Sequence, residues 1–363
     1  MATLFAVGDL HGDVAQAHAV LRLLGLIDED RSWAGGNATL VQTGDLVDRG
    51  PESLPLMRYF QALQPQARAA GGRVVTLMGN HEALNVEGDL RYVDANELAA
   101  AGGSAAWSAL FAPDGEMGRA IGAYDVAVVA GDGPCRTLFV HAGLRPELLA
   151  AEGSRLSEGG LSGGSLSDGD GLAQLEALNR RARAQLLAHP HTGLLGSSGP
   201  IWYRGYAQKG EAEVCAALWR TLQAVGAYRM VSGHTIVPSH RSVLTRCGGA
   251  YHMIDVGMSR AYHGSLAGWS CALGPGTSQG QWARVVAHYP QAEVARRRPR
   301  RAPPPLPAAG LLQTTFSACA AGDCAAGHGA VLPSAVADDA AAQGAGGRGP
   351  ARGKASGAAG ATG

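Results

Sequence analysis

Short apolar runs recur along the first three quarters of the chain, each stopping at a glycine or at a polar residue close behind it. Leu4–Val7 leads into Gly8-Asp9, residues 39–41 into Gly44-Asp45, and residues 74–78 into Gly79-Asn80-His81. Residues 138–140 meet His141, and residues 229–231 meet Gly233-His234. Runs this short, rich in β-branched residues and closed by glycine, predict buried strands. Helical spacing appears between the first three. Val14, Val20, Leu21 and Leu24 form one helix, opened by Asp13 as N-cap and closed by Gly25. Leu54, Met57, Phe60 and Leu63, after Pro51, form another. Strands alternating with helices predict an α/β layered domain. Farther on, residues 126–129 and 137–140 flank Asp132-Gly133-Pro134, and residues 243–244 and 252–256 flank Gly248-Gly249, as in hairpins. A mixed sheet, or two stacked sheets, is therefore expected.

Two stretches break the pattern. Residues 153–171, rich in Gly, Ser and Asp, read as a long loop inside the domain, followed by a helix over 172–188. From Arg296 the sequence turns Arg-rich, then Pro-rich, then Ala/Gly-rich. The chain thus divides into a folded domain over 1–292 and a low-complexity tail over 293–363. Such a tail cannot bury a core and is expected to be disordered. Its arginines read as a solvated run rather than a docking or import signal, and Cys319, Cys324 and His328 lack a fourth metal ligand.

Composition narrows the field of partners. Lys+Arg and Asp+Glu balance at 30 each, so no global field draws the chain to nucleic acid or a membrane surface. Affinity for anions has to be local. No apolar run approaches the roughly 20 residues of a membrane span. The six cysteines are scattered without a CxxC pair, which points to neither a disulfide framework nor a zinc knuckle, and suggests a reduced protein. With the first motif at Asp9, no leader is visible. A cytoplasmic protein is expected, or a chloroplast one if the N-terminus is truncated.

In α/β sheets, ligands gather at the carboxyl ends of strands. There this chain places GDLHG (Asp9, His11), GDLVDRG (Asp45, Asp48, Arg49), GNHE (Asn80, His81, Glu82), HAGL (His141) and SGHT (His234). Carboxylate oxygens and imidazole nitrogens suit first-row divalent metals. Arg49 presents a planar fork matching phosphate oxygens. Taken singly, each block has a plain reading: Asp9 as a turn cap, Asp48 with Arg49 as a surface pair, each histidine as a hydrogen-bonded structural residue. Five strand ends that all deliver Asp, Asn or His instead supply donors for two metals sharing a bridge. Such centres activate a water for in-line displacement at phosphorus.

These ordered blocks resemble the calcineurin-like metallophosphoesterases, and within them the phosphoprotein phosphatase family. GPIWYRGY at 199–206 and IDVGMS at 254–259, without an SAPNY sequence, resemble its bacterial-like branch, the Shewanella-like protein phosphatases of plants and algae. The resemblance implies a β-sandwich of two mixed sheets flanked by helices. It also implies two divalent ions (manganese, iron or zinc) and a phosphoprotein substrate carrying phosphoserine, phosphothreonine or phosphotyrosine. By the same resemblance Asp9, His11 and Asp45 hold the first ion. Asp45 bridges to the second, which Asn80, His141 and His234 complete. His81 is the general acid oriented by Asp48, Arg49 and Arg204 clamp the phosphate, and a metal-bridging hydroxide attacks directly. A competing resemblance is to diadenosine-tetraphosphate hydrolases, which typically carry GNHD and lack the Asp-Arg pair. A catalytically inactive binding module would lack a ligand or the acid, and no expected position is vacant. His18 reads as structural, His189 and His191 read as loop residues flanking Pro190, with lining of the cleft the lesser alternative, and Tyr203 and Tyr262 are assigned no role.

Overall fold

The computed structural model describes residues 2–158, 170–188, 193–274, 282–290 and 314–317. Its first part alternates strand and helix: β1 (Leu4–Val7), α1 (Val14–Leu23), β2 (Thr39–Gln42), α2 (Ser53–Ala69) and β3 (Arg73–Thr76). Each crossover helix follows the periodicity. The Asp13 side chain caps α1 by accepting from Gln16 N at 3.1 Å, and Ala17, Val20 and Leu21 are its buried face. Leu56, Met57, Phe60 and Leu63 face the core from α2. A helical excursion follows, α3 (Asn80–Val86), α4 (Ala95–Ala100), α5 (Ser104–Phe111) and α6 (Glu116–Ile121), before β4 (Ala127–Ala130) and β5 (Thr137–Val140). Then come α7 (Pro146–Glu158), α8 (Asp170–Ala188), α9 (Gly205–Gln208) and α10 (Glu211–Val225). The later strands are β6 (Arg229–Ser232), β7 (Leu244–Arg246), β8 (Tyr251–Met253), β9 (Gly268–Leu273), β10 (Ala283–His288) and β11 (Thr314–Ser317).

The strands form two mixed sheets, β11-β10-β9-β1-β2-β3 and β4-β5-β6-β8-β7. β1, β2 and β3 run parallel, joined by crossover connections through α1 and α2, while β9 and β10 join antiparallel. In the second sheet β5, β6 and β8 run parallel, with β4 and β7 antiparallel at the edges. The sheets meet through rings: Phe139 on β5 lies edge-on to Trp269 on β9, centroids 5.7 Å apart, and both are buried. This is the two-sheet α/β architecture expected. Among the described residues no helix is long and apolar enough to cross a membrane.

Several expectations shift. The loop predicted over 153–171 is helical at both ends, because α7 runs on to Glu158 and α8 starts at Asp170. Pro146 opens α7 and buried Leu149 packs it inward, while Arg181 on α8 pairs with buried Glu152 on α7. Within the expected tail, Thr314–Ser317 adds to β10 as an antiparallel edge strand; the rest of the tail lies outside the described residues, as do His189, His191, Cys319, Cys324 and His328.

The cysteine reading is overturned. Cys135 is bonded to Cys271 and Cys215 to Cys247, with Cα atoms 5.7 and 5.4 Å apart. The partners are 136 and 32 residues apart in sequence, so spacing carried no trace of a pairing that the fold creates. The first bond ties the β4–β5 turn to β9 across the two sheets. The inference from scattered cysteines to a reduced protein therefore lapses.

Candidate active site

The five strand-end blocks converge. β1 and β2 carry Asp9, His11 and Asp45 past their carboxyl ends, β3 hands over to α3 at Asn80, and β5 and β6 deliver His141 and His234. Turning so many side chains into one place strains the backbone. His11, Asp45, Asp48, Arg49 and His234 all adopt left-handed conformations, with φ of 40°, 58°, 70°, 70° and 64°. Only three other described non-glycine residues do so. Each such residue costs on the order of 1 kcal/mol or more, and strain of this kind collects at functional sites. Gly79 relieves the crowding: a Cβ there would fall 2.1 Å from Asp45 Oδ1.

Asp45 is the hub. Its Oδ2 lies 3.6 Å from His11 Nε2, 3.4 Å from His141 Nε2 and 4.0 Å from His81 Nε2. Two groups of donors share it: His11, Asp45 and His81, and Asp45, His141 and His234, each with ligand atoms within 4.8 Å of one another. Asn80 Oδ1 lies 2.9 Å from His141 Nε2. Asp9 joins through the backbone, both its oxygens accepting from His234 N at 3.2 and 2.9 Å. His11 Nδ1 faces the Val47 carbonyl at 3.0 Å and His141 Nδ1 the Thr43 carbonyl at 2.8 Å, which turns each Nε2 toward Asp45. His234 Nε2 is buried with no hydrogen-bond partner among the described residues. An orphaned imidazole nitrogen beside Asp, Asn and two further histidines is what a divalent cation would satisfy.

Electrostatics point the same way. Burial takes the His11 pKa down to about 3, and burial with His141 and Arg204 nearby holds His234 well below the usual imidazole value. Both are therefore neutral, with lone pairs to give. Burial, then Asp255 and Asp45, raises Asp9 well above the carboxylate range; burial and then Asp45 push Glu82 to about 7. Burial also takes Asp255 to about 6, with Asp45 adding to the rise. Asp45 alone is held low, the surrounding histidines outweighing its burial. A buried cluster with surplus negative charge is stabilised by bound cations.

His81, besides falling in the first group of donors, is paired with Asp48. His81 Nδ1 lies 2.6 Å from Asp48 Oδ2, so Asp48 is turned into the core rather than paired with Arg49 on the surface. Burial opposes charge on His81, but Asp45, Asp48 and Glu82 outweigh it and raise its pKa above the usual imidazole value. Arg49 is left without an ion pair or side-chain hydrogen bond among the described residues. Its guanidinium lies over the Tyr92 ring at 4.1 Å and faces the Tyr262 ring at 5.9 Å. Arg204 sits on the His234 side, donating from Nη1 to the His234 carbonyl at 2.9 Å and to Thr235 Oγ1 at 3.0 Å.

Other residues support these without having been assigned a role from sequence. Glu82 accepts from Asp45 N and Gly79 N, both at 2.8 Å, and from Leu46 N at 2.7 Å, stitching two blocks together. Its place in GNHE was the available signal. Asp13, besides capping α1, binds Arg260 through two 2.8 Å side-chain bonds, which anchors the loop bearing Tyr262 beside His11, ring centroids 5.2 Å apart. A Cβ at Gly8 would fall 3.3 Å from the Asp255 Cα, so the backbone passes close to Asp255 there. Nothing local in the sequence marks the Asp13–Arg260 contact, made across 247 positions. His18 packs edge-on against Tyr59, away from the cluster.

Comparison with known proteins follows the same lines. A family model described as calcineurin-like phosphoesterase matches residues 2–238. An uncharacterized protein of Schizosaccharomyces pombe is 35% identical over 268 residues, spanning 73% of this chain and 75% of that one. Shewanella-like protein phosphatase 2 of Arabidopsis thaliana is 29% identical over 292 residues, spanning 71% of each. Among solved structures, the cold-active protein-tyrosine phosphatase of a psychrophilic Shewanella superposes with a TM-score of 0.62 at 26% identity, covering 80% of this chain and 78% of that one. Likeness to the symmetrical bis(5'-nucleosyl)-tetraphosphatase of Methylococcus capsulatus, 38% identical, is confined to 79 residues, 22% of this chain.

Proposed function

The chain belongs to the calcineurin-like phosphoesterase family, and from that premise we propose how its strand-end cluster works and on what. It is a metal-dependent protein phosphatase, similar along most of its length to Shewanella-like protein phosphatases. The observation that carries the mechanism is the sharing of Asp45 between two groups of donors. Asp9, His11 and Asp45 are assigned to one divalent ion, and Asp45, Asn80, His141 and His234 to a second. His81 falls within reach of the first group, but the carboxylates of Asp45 and Asp48 outweigh its burial and raise its pKa, whereas burial lowers that of His11. That favours a proton carrier over a ligand. Manganese, iron and zinc all accept such a donor set.

When bound, the ions lower the pKa of a water and polarise the phosphoryl oxygens. The protein supplies the rest. Arg49, its face against tyrosine and its N–H edge unpaired, offers a fork to two phosphoryl oxygens without first breaking an ion pair. Arg204, with its Nη1 spent on the His234 turn, keeps its remaining N–H groups for the same phosphate. His81 Nε2 gives a proton to the departing oxygen and Asp48 stabilises the imidazolium beforehand.

Phosphoserine, phosphothreonine and phosphotyrosine of proteins are the proposed substrates. The narrow span of likeness to bis(5'-nucleosyl)-tetraphosphatases argues against a dinucleotide substrate. Turnover of a phosphopeptide panel against diadenosine tetraphosphate, with manganese supplied, tests this; preference for the dinucleotide would overturn it.

A further inference from the structure

Behind His81 runs a buried chain of hydrogen bonds whose direction is dictated at its far end. Trp107 on α5 is completely buried and stacked on Phe111, ring centroids 5.1 Å apart and planes 21° from parallel. An indole N–H can only donate. It donates to Asn85 Oδ1 at 2.7 Å, so the Asn85 oxygen must face the tryptophan and its NH₂ must face away. The two amide hydrogens then go to Asp48 Oδ1 at 2.8 Å and to the His81 carbonyl at 3.0 Å. Turning the amide over would set oxygen against two acceptors and NH₂ against the indole N–H, replacing all three bonds with repulsions. Unlike most side-chain amides, this one has its orientation assigned by chemistry.

The consequence passes to Asp48. Its backbone N donates to Ser53 Oγ at 3.1 Å, and Ser53 Oγ donates to buried Glu97 at 2.5 Å, so the main chain is held as well. With Oδ1 occupied by Asn85, Oδ2 is presented to His81 Nδ1 at 2.6 Å. Both oxygens act as acceptors, so Nδ1 carries the shared hydrogen. That leaves Nε2 as the nitrogen facing the cluster with the transferable proton.

We propose that Asn85, fixed by Trp107, is the positioning residue that sets the direction of proton delivery by His81. This rests on the reading of His81 as general acid. In the step concerned, the Nε2–H bond breaks and an O–H bond forms on the leaving oxygen, while the P–O bonding pair passes to that oxygen. His81 ends neutral with its Nδ1 hydrogen in place, and Asp48 stays a carboxylate throughout. Neither Asn85 nor Trp107 touches substrate. Their influence should therefore scale with how much the leaving group needs a proton, which a merely structural role would not do.

The test uses full-length, manganese-loaded protein and two substrates, a phosphoserine peptide and 4-nitrophenyl phosphate. Trp107→Phe removes the N–H and keeps a ring against Phe111; Asn85→Leu removes the link altogether. The expected kcat on the phosphoserine peptide falls about fivefold for Trp107→Phe, the worth of one neutral hydrogen bond. For Asn85→Leu it falls about 10²-fold, the lower range for general acid catalysis. On 4-nitrophenyl phosphate both variants stay within about twofold of the parent, since that phenoxide departs without a proton. KM and metal content are expected to be unchanged. Equal losses on both substrates, or loss of metal, would overturn the proposal, and Trp107→Phe decides it should Asn85→Leu fail to fold. His81→Asn is the control. If it shows no selective loss on the peptide, the general-acid reading fails and this proposal with it. If it shows that loss while the other two do not, this proposal alone fails.

Discussion

Arg49 lies over the ring of Tyr92 with its guanidinium carbon 4.1 Å from the ring centroid, and its backbone N donates to the Tyr92 carbonyl at 2.9 Å. A cation is thus held at the cluster by a π-face instead of by a carboxylate. The arrangement keeps the charge in place and the N–H edge free, which an ion pair would not.

Replacing the ring should therefore weaken substrate binding more than it slows chemistry. Cation–π contacts of this kind contribute roughly 0.5–2 kcal/mol. For Tyr92→Leu we expect KM for a phosphopeptide to rise about 2- to 30-fold with kcat little changed. Steady-state kinetics check this; a fall in kcat at constant KM would show that Tyr92 acts on the transition state instead.

The assignments of Asp45 and His81 separate by a different readout. His81→Asn should lower turnover of alkyl phosphates by about 10²–10⁴-fold with metal content near that of the parent. Asp45→Asn should lose metal and activity together, because both groups of donors at the strand ends include its carboxylate. Metal analysis of both purified variants beside their turnover decides it. A His81 variant that had lost its metal would move His81 into the ligand set.

How much of this could be read in the sequence depends on distance along the chain. The strand-end blocks were legible because each packs a strand, a glycine and a ligand within a few residues, as in Gly44-Asp45 and Gly79-Asn80. β9 and β10 were not, since Gly268–Leu273 and Ala283–His288 show no closing glycine-and-ligand signature and are specified by pairing with β1 and with each other. The boundary of α7 was hidden because Gly153 and the serines near it weigh toward loop, whereas contacts with α8 and α10 hold the segment helical. The supports of the site, Asp13 to Arg260, Trp107 to Asn85 and Ser53 to Glu97, join residues 22 to 247 positions apart. Pairings at that range become visible only once the chain is folded.

The cross-sheet disulfide makes a stability prediction of its own. It closes a span of 136 residues between the β4–β5 turn and β9, and bonds closing long loops typically contribute about 2–4 kcal/mol. The double variant Cys135→Ala, Cys271→Ala should lower the urea midpoint accordingly while leaving turnover of 4-nitrophenyl phosphate largely intact at low temperature. An unchanged midpoint under non-reducing conditions would mean the bond does not stabilise the fold.

A pH effect on stability follows from His252. It is wholly buried, its Nε2 bonded to the Gly249 carbonyl at 2.8 Å, and burial together with nearby Arg229 takes its pKa down to about 3. The unfolded chain binds a proton there below about pH 6.5, whereas the folded one refuses it. Its share of stability is thus present above about pH 6.5 and is lost as pH falls toward 3, at up to about 1.4 kcal/mol per pH unit. In His252→Gln the decline of unfolding free energy between pH 6.5 and pH 4.5 should be shallower than in the parent by up to that slope. Denaturant titrations across that range would contradict the assignment if the two slopes coincide.

The sharing of Asp45 between two groups of histidines is tested most directly by phosphate release from phosphopeptides as metal is removed and restored. Chelated protein should release none, manganese should restore release, and Asp45→Asn should stay inactive at any metal concentration that restores the parent. Phosphate release from the chelated protein equal to that of the loaded one would contradict it.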